Sequence, residues 1–274
     1  MTPAAPSSYL LGADDSERGR LLAQGEMFAE ETAGLLARVA PPQGGRAVDV
    51  GCGPLGVLDL LSRAVGPHGA VVGLDAEPRM LEMARRTLAE RDLHNVELVL
   101  RDAGSSGLEP GGFDLVHTRL LLMNVPHSDA VLSEMAALVR PGGKMAIQDV
   151  DWMTRVCVPE HPAWDRVVTM VAELWRLNGM DVYIGRKLPA MLRAAGFRDV
   201  GVTAHTRTFG PGDPYQTLMV DRAELCRAPL VERGLTTDAE LSALLEKLRA
   251  HLEDPGTNVV HATLFQAWGT RPLD

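Results

Sequence analysis

A chain of 274 residues, 46% hydrophobic and 23% charged, carries enough apolar material for one large α/β domain or for a domain with an appended lid. Its formal net charge of -9 argues against a nucleic-acid partner, because neutralising phosphates needs a concentrated basic surface. Cys52, Cys157 and Cys226 are too few and too scattered for a disulfide framework or a CxxC metal pair, which points to a reducing compartment.

In chain order, residues 1–11 lack the positive flank and apolar core of a signal peptide, and no apolar run approaches a membrane span. The expectation is a cytoplasmic protein with no membrane partner. Leu21, Leu22, Met27, Phe28, Leu35 and Leu36 recur near a 3.6-residue period and predict one helix over 14–39, closed by Pro41 and Pro42. Residues 1–45 are thus a helical cap ahead of a domain over 46–274.

From Arg46 the pattern becomes short apolar strand, turn and helix, repeated, which is the signature of a parallel sheet with crossover helices. Strands are predicted at 47–50, 70–75, 96–101, 113–118 and 144–149. Glu77 and Pro78 suit the first turn of the helix after Asp75, and Met80, Leu81, Ala84 and Leu88 form its apolar face. Pro141, Gly142 and Gly143 stop a helix over 128–139. Further on come a helix at 186–195, a strand at 200–204, helices at 215–231 and 237–253, and a closing strand at 259–269. The stretch 209–253 interrupts the α/β repeat and is expected to form a helical lid.

The strand that runs into Gly51, Gly53 and Gly56 and then into a helix lets backbone approach a ligand at amides that have no helical partner. Asp75, at the end of the next strand, can accept ribose hydroxyls. Both features serve a dinucleotide as well as they serve other adenosine ligands, so on these residues alone a nicotinamide oxidoreductase stays open.

The stretch Val48, Asp49, Val50, Gly51, Cys52, Gly53 and Pro54 resembles the first motif of class I S-adenosylmethionine-dependent methyltransferases. Arg101, Asp102 and Ala103 resemble that family's third-strand motif. Phe113 to Val116 and Leu138 to Gly143 resemble its fourth-strand motif and the turn before its fifth strand. The resemblance implies a Rossmann-like, doubly wound seven-stranded sheet of order 3-2-1-4-5-7-6 with an antiparallel last strand. It implies S-adenosyl-L-methionine as cofactor and S-adenosyl-L-homocysteine as product. Asp49, Gly51 and Gly53 would meet the methionine portion, Asp75, Ala76 and Met80 the ribose side, and Asp102 and Ala103 the adenine. Leu55 departs from the pattern, standing where many relatives have a small residue, and is expected to shift the loop.

In such a sheet, ligands bind beyond the carboxyl ends of the strands. Thr118 and Arg119 follow strand four. Arg119 either holds the cofactor carboxylate through its guanidinium or opens a helix facing solvent. Asp149 and Asp151 follow strand five beside Trp152, where a carboxylate could orient an acceptor or take its proton; the alternative is a turn cap beside a core tryptophan. His117, Asn124, His127, His205 and His261 are further polar candidates. No histidine or asparagine completes a metal set, so no metal is expected. Tyr9, Gln24, Met27, Phe28, Trp175, Tyr183, Tyr215 and Met219 are candidates to line a closed pocket.

The function expected is methyl transfer to oxygen, nitrogen or carbon of a small molecule in bacterial specialised metabolism, by a chain that is compatible with a homodimer. The alternative is a cyclase of the same fold that uses the bound cofactor without transferring its methyl group.

Overall fold

The computed structural model describes residues 15–273. Its elements are α1 (Asp15–Met27), α2 (Ala29–Val39), β1 (Arg46–Val50), α3 (Leu58–Val65), β2 (Ala70–Asp75), α4 (Pro78–Glu90), β3 (Val96–Leu100), β4 (Phe113–Arg119), α5 (Ser128–Leu138) and β5 (Val139–Asp151). They continue with β6 (Val156–Val158), α6 (Pro162–Leu177), α7 (Ile184–Ala194), β7 (Arg198–His205), β8 (Thr208–Phe209), α8 (Leu218–Leu225), α9 (Arg227–Glu232), α10 (Asp238–Leu252), β9 (Asn258–Val260) and β10 (Thr263–Thr270).

Seven strands form one sheet in the order β3-β2-β1-β4-β5-β10-β7. Strands β1 to β5 pair in parallel, and β10 runs antiparallel between β5 and β7. With β7 and β10 as the sixth and seventh sheet strands in chain order, this is the expected class I methyltransferase topology. Strand alternation divides the core in two. Ala47, Val71, Leu115 and Ala146 face α2, α3 and α4, whereas Val48, Val72, Val116 and Met145 face α5, α6 and α7. Among the described residues no helix is long and apolar enough to cross a membrane.

Polar side chains interrupt the first of these faces in a row. Asp49, His117, Gln148 and Gln266 are all buried on neighbouring strands β1, β4, β5 and β10. His117 joins Asp49 Oδ1 through Nδ1 (2.8 Å) and Gln148 Oε1 through Nε2 (3.0 Å). Thr32 of α2 donates to Gln148 Oε1, and Gln266 Nε2 donates to the Glu31 carbonyl, so the row fastens α2 across the sheet. Buried polar groups without partners would cost a few kcal/mol each, and here the partners come from α2 and the adjoining strands.

Four predicted elements differ from those observed. The first helix breaks at Phe28, whose backbone (φ -101°, ψ 9°) leaves helical geometry. The helix predicted over 215–231 is two, separated at Cys226, because Pro229 has no N–H to continue α8. Strand β5 begins at Val139 rather than Lys144, with a register shift opposite Phe113 and Leu115 that absorbs the Pro-Gly-Gly turn. The closing strand is interrupted at His261 and Ala262, so that β9 leaves the main sheet and pairs with β6 and β8 in a separate three-stranded sheet.

Gly56 closes the loop after β1 with φ of 54°, and a Cβ there would lie 2.5 Å from Asp49 Oδ2 and closer still to the Cys52 carbonyl. Gly56→Ala is expected to destabilise the fold by about 2–4 kcal/mol through backbone strain and displacement of Asp49. Urea denaturation of both proteins measures this; equal midpoints would show that the loop relaxes without penalty.

Candidate functional site

The carboxyl ends of β1 to β5 border a cavity of about 430 Å³. At one end it is walled by Gly51 and Gly53 of the loop after β1, Asp75, Ala76, Glu77 and Met80 after β2, and Asp102 and Ala103 after β3. Leu21, Gln24 and Phe28 close it from the N-terminal helices, and Leu120 to Val125 from the segment after β4. At the other end stand Val150, Trp152, Arg155, Leu218, Arg222 and His261.

Asp75 sits at the last position of β2. Its Oδ2 accepts from Gly53 N (2.8 Å) and its Oδ1 from Glu77 N (2.9 Å). One carboxylate therefore ties the glycine loop to the start of α4 while bordering the cavity. Burial pushes the Asp75 carboxyl up, while those amide hydrogen bonds act against the rise. Gly53 takes φ of 56°, and a Cβ on it would meet no protein atom within 4 Å. The backbone at Gly53 is thus bare toward the cavity, which is the close approach an adenosyl ligand requires. Asp102, where the chain leaves β3, accepts from Gly104 N (2.8 Å) through Oδ1 and is exposed. An acidic group at the end of β2 and a second one beyond β3 fit a ribose and an adenine amino group in turn.

Several predicted residues lie elsewhere. Asp49 is behind the loop, not in it: Oδ1 receives the His117 hydrogen bond and Oδ2 accepts from Val57 N (3.4 Å). Thr118 is buried and donates to the Val50 carbonyl (2.7 Å), which ties β4 to β1. Arg119 does line the cavity, yet it also holds the loop, donating to the Gly56 carbonyl (3.0 Å) and to Thr32 Oγ1 (3.1 Å). Leu55 turns inward, packed with Leu35, Leu36, Val57 and Leu58, so its bulk does not reach the ligand side.

Asp149 and Asp151 are fully buried and outside the cavity wall, because strand alternation presents Val150 there instead. Asp149 accepts from Val150 N (2.8 Å) and Met123 N (3.1 Å), fixing the segment after β4. Asp151 accepts from Met153 N (3.1 Å) and pairs with Arg186 Nε at the start of α7. Gly185 makes that pairing reachable, since a Cβ there would strike the Val150 and Asp151 backbone. Both carboxylates position the site; neither borders it.

Of the pocket candidates, Gln24 and Phe28 line the cavity, and Trp175 stands behind Trp152 (ring centroids 5.6 Å apart). Met27, Tyr183, Tyr215 and Met219 are not in the wall, and Tyr9 lies outside the described residues. Among the polar candidates Asn124 and His261 reach the cavity. Arg155 and Arg222 are cavity residues that sequence reasoning missed. Arg155 falls in a turn after β5, and Arg222 reads as the solvent face of a helix among Asp221, Glu224 and Arg227, so no local signal marked either.

The family model described as "Methyltransferase domain" matches residues 42–196. A demethylmenaquinone methyltransferase of Geobacillus sp. is 31% identical over 183 residues, covering 62% of this chain and 78% of that protein. Several other curated relatives are matched over only about half of their own length. A Bacillus halodurans methyltransferase-fold structure superimposes with TM-score 0.61 at 19% identity, covering 88% of this chain and 98% of the other. The structure of a cyclase, SpnF, does so with TM-score 0.50 at 19% identity, covering 90% and 82%. At that identity these structures share the fold.

Burial raises the Asp149 carboxyl to about 7. Because this folded value exceeds the ordinary one near 4, the folded state binds the extra proton, and the associated stability, complete below pH of about 4, is lost as pH rises through about 7. Asp149→Asn is therefore expected to gain stability relative to the parent as pH is raised over that window. Urea titrations at several pH values measure the difference; a constant gap would contradict the assignment.

Proposed function

The chain belongs to the methyltransferase-domain family, and on that premise we propose that it is an S-adenosylmethionine-dependent enzyme that methylates oxygen, nitrogen or carbon of a small organic molecule. The observation that carries this reading is Asp75, cross-linked to Gly53 and Glu77 at the end of β2 and bordering the cavity. Asp75 holds the ribose hydroxyls, flanked by Ala76 and Met80. Asp102 and Ala103 receive the adenine, Gly51 and Gly53 lie along the methionine portion, and Arg119 is the partner for its carboxylate.

When bound, the sulfonium of the cofactor supplies an activated methyl group, so the chain needs no covalent nucleophile. What its residues contribute is alignment and exclusion of water. Phe28, Leu121, Met123 and Trp152 present apolar surface to the cavity, across which the acceptor must come into line. Residues 1–45 act as a cap and the helices within 209–253 as a lid, since Gln24 and Phe28 on one side and Leu218 and Arg222 on the other close over the strand ends. A cavity of about 430 Å³, shared with the cofactor, supports a small acceptor over a macromolecular one. The free, buried cysteines support a reducing cytoplasm, and the arginine-rich, lysine-poor composition supports a bacterial source, with specialised metabolism as the setting.

The second reading is cyclase chemistry on the same fold, for which the cofactor end of the site would be unchanged. Mass spectrometry of product separates the two: methyl transfer adds one methyl group and releases S-adenosylhomocysteine, and a product of unchanged mass would contradict it.

Asp75→Ala should weaken S-adenosylhomocysteine binding by about 1.5–3 kcal/mol, the range for hydrogen bonds to a charged group. Calorimetric titration reads the loss directly, and parental affinity in the variant would show that the ribose lies elsewhere.

A further inference from the structure

The cavity end away from Asp75 holds an arrangement outside the residues assigned to the cofactor. Trp152 is fully buried, and the Arg155 guanidinium carbon lies 4.0 Å from its ring centre, with that of Arg222 at 5.0 Å. Arg222 also lies 5.6 Å from the Trp175 ring. Both arginines are buried and both border the cavity. Arg155 donates one hydrogen bond, from a terminal nitrogen to the Trp152 carbonyl (3.1 Å). Among the described residues no carboxylate lies within ion-pair distance of it. Asp151, the acid whose field it feels, is engaged by Arg186.

Burying a guanidinium with no carboxylate beside it is costly, and that is the position of Arg155, with the Arg222 charge nearby adding to the cost. The aromatic faces offset part of that cost. Burial and the neighbouring Arg222 accordingly weaken the hold of Arg155 on its proton. An anion beside Arg155 would offset that cost.

His261 completes the end wall, edge-on to Phe28 and Phe209. Its Nδ1 faces the Ala262 carbonyl at 2.9 Å, which places the imidazole proton there, and its Nε2 is buried with no hydrogen-bond partner. Burial, with Arg155 and Arg222 adding to it, pushes this imidazole down to about 3, so at neutral pH it is an uncharged acceptor.

We propose that Arg155 forms a carboxylate subsite for the methyl acceptor, with the neighbouring Arg222 adding to the positive field and His261 Nε2 receiving a hydrogen bond from a hydroxyl or amine on the same molecule. The acceptor class is an apolar small molecule carrying one carboxylate and a nearby donor. Its body packs on Leu121, Met123 and Leu218, and its carboxylate is held away from the glycine loop so that the opposite end points at the cofactor. A planar carboxylate matches the guanidinium fork, whereas a phosphate would call for more donors than this largely apolar wall offers. The inference rests on the proposed function for the word acceptor, but the anion subsite itself does not.

The test is calorimetric titration of the S-adenosylhomocysteine-loaded protein with benzoate, with its neutral analogue benzamide and with inorganic phosphate. Benzoate is expected to bind at least tenfold more tightly than either, and Arg155→Gln to remove at least tenfold of that affinity while leaving S-adenosylhomocysteine binding within twofold. Arg155→Lys should fall between them. Equal binding of benzoate and benzamide to the parent protein would overturn the proposal without any variant, as would undiminished benzoate binding in a folded Arg155→Gln. Phosphate binding tighter than benzoate would overturn the carboxylate assignment. Failure of S-adenosylhomocysteine to bind would instead refute the proposed function, and benzoate titration of the unloaded protein would still decide the subsite.

Discussion

The site depends on one buried carboxylate. Asp49 is held at the end of β1 with 2% exposure, where an unpartnered charge would be prohibitive, and its two oxygens are met by His117 of β4 and the amide of Val57. The second contact folds the loop back over Asp49, which leaves room only for glycine at position 56 and directs the Gly56 carbonyl to Arg119. Through His117 and Gln148 the same carboxylate is linked to Thr32, so the glycine loop, the central strands and α2 are one hydrogen-bonded unit. Satisfied networks of this kind rigidify a core, and the side chains of this row are partnered except at Gln148 Nε2.

From that unit the cavity acquires two ends of opposite character. Around β2 and β3 the wall offers acidic acceptors, Asp75 and Asp102, suited to hydroxyls and an amino group. Around β5, α8 and the break before β10 it offers cations, Arg155 and Arg222, backed by the tilted pair Trp152 and Trp175. A ligand pair whose hydrogen-bond donors face one end and whose negative charge faces the other would be oriented by electrostatics before any shape selection.

Much of the scaffold and the cofactor end was legible in the amino-acid sequence, because both are written in local patterns. Alternating strand and helix periods, Gly51 and Gly53, and an acid at each of two strand ends need no knowledge of distant contacts. Asp49 was legible as significant but not in role: a residue adjoining the loop in sequence lies on the far side of it in space. Asp149 and Asp151 misled for a related reason. Alternation correctly put them on one face, but that face meets Met123 and Arg186, and Val150 and Trp152 look into the cavity. His261, Arg155 and Arg222 were the least legible, since their meeting needs a strand break at His261, a short turn after β5 and a helix inserted between β8 and β9, three long-range events with no common sequence signal.

The account stands most directly on where an adenosyl ligand lies. A crystal structure of the protein with S-adenosylhomocysteine should show both ribose hydroxyls on the Asp75 carboxylate, the adenine beside Asp102 and Ala103, and the sulfur facing the Trp152 end of the cavity. A ligand bound outside this cavity, or one lying in it with its adenine against Trp152 and Arg155, would contradict it.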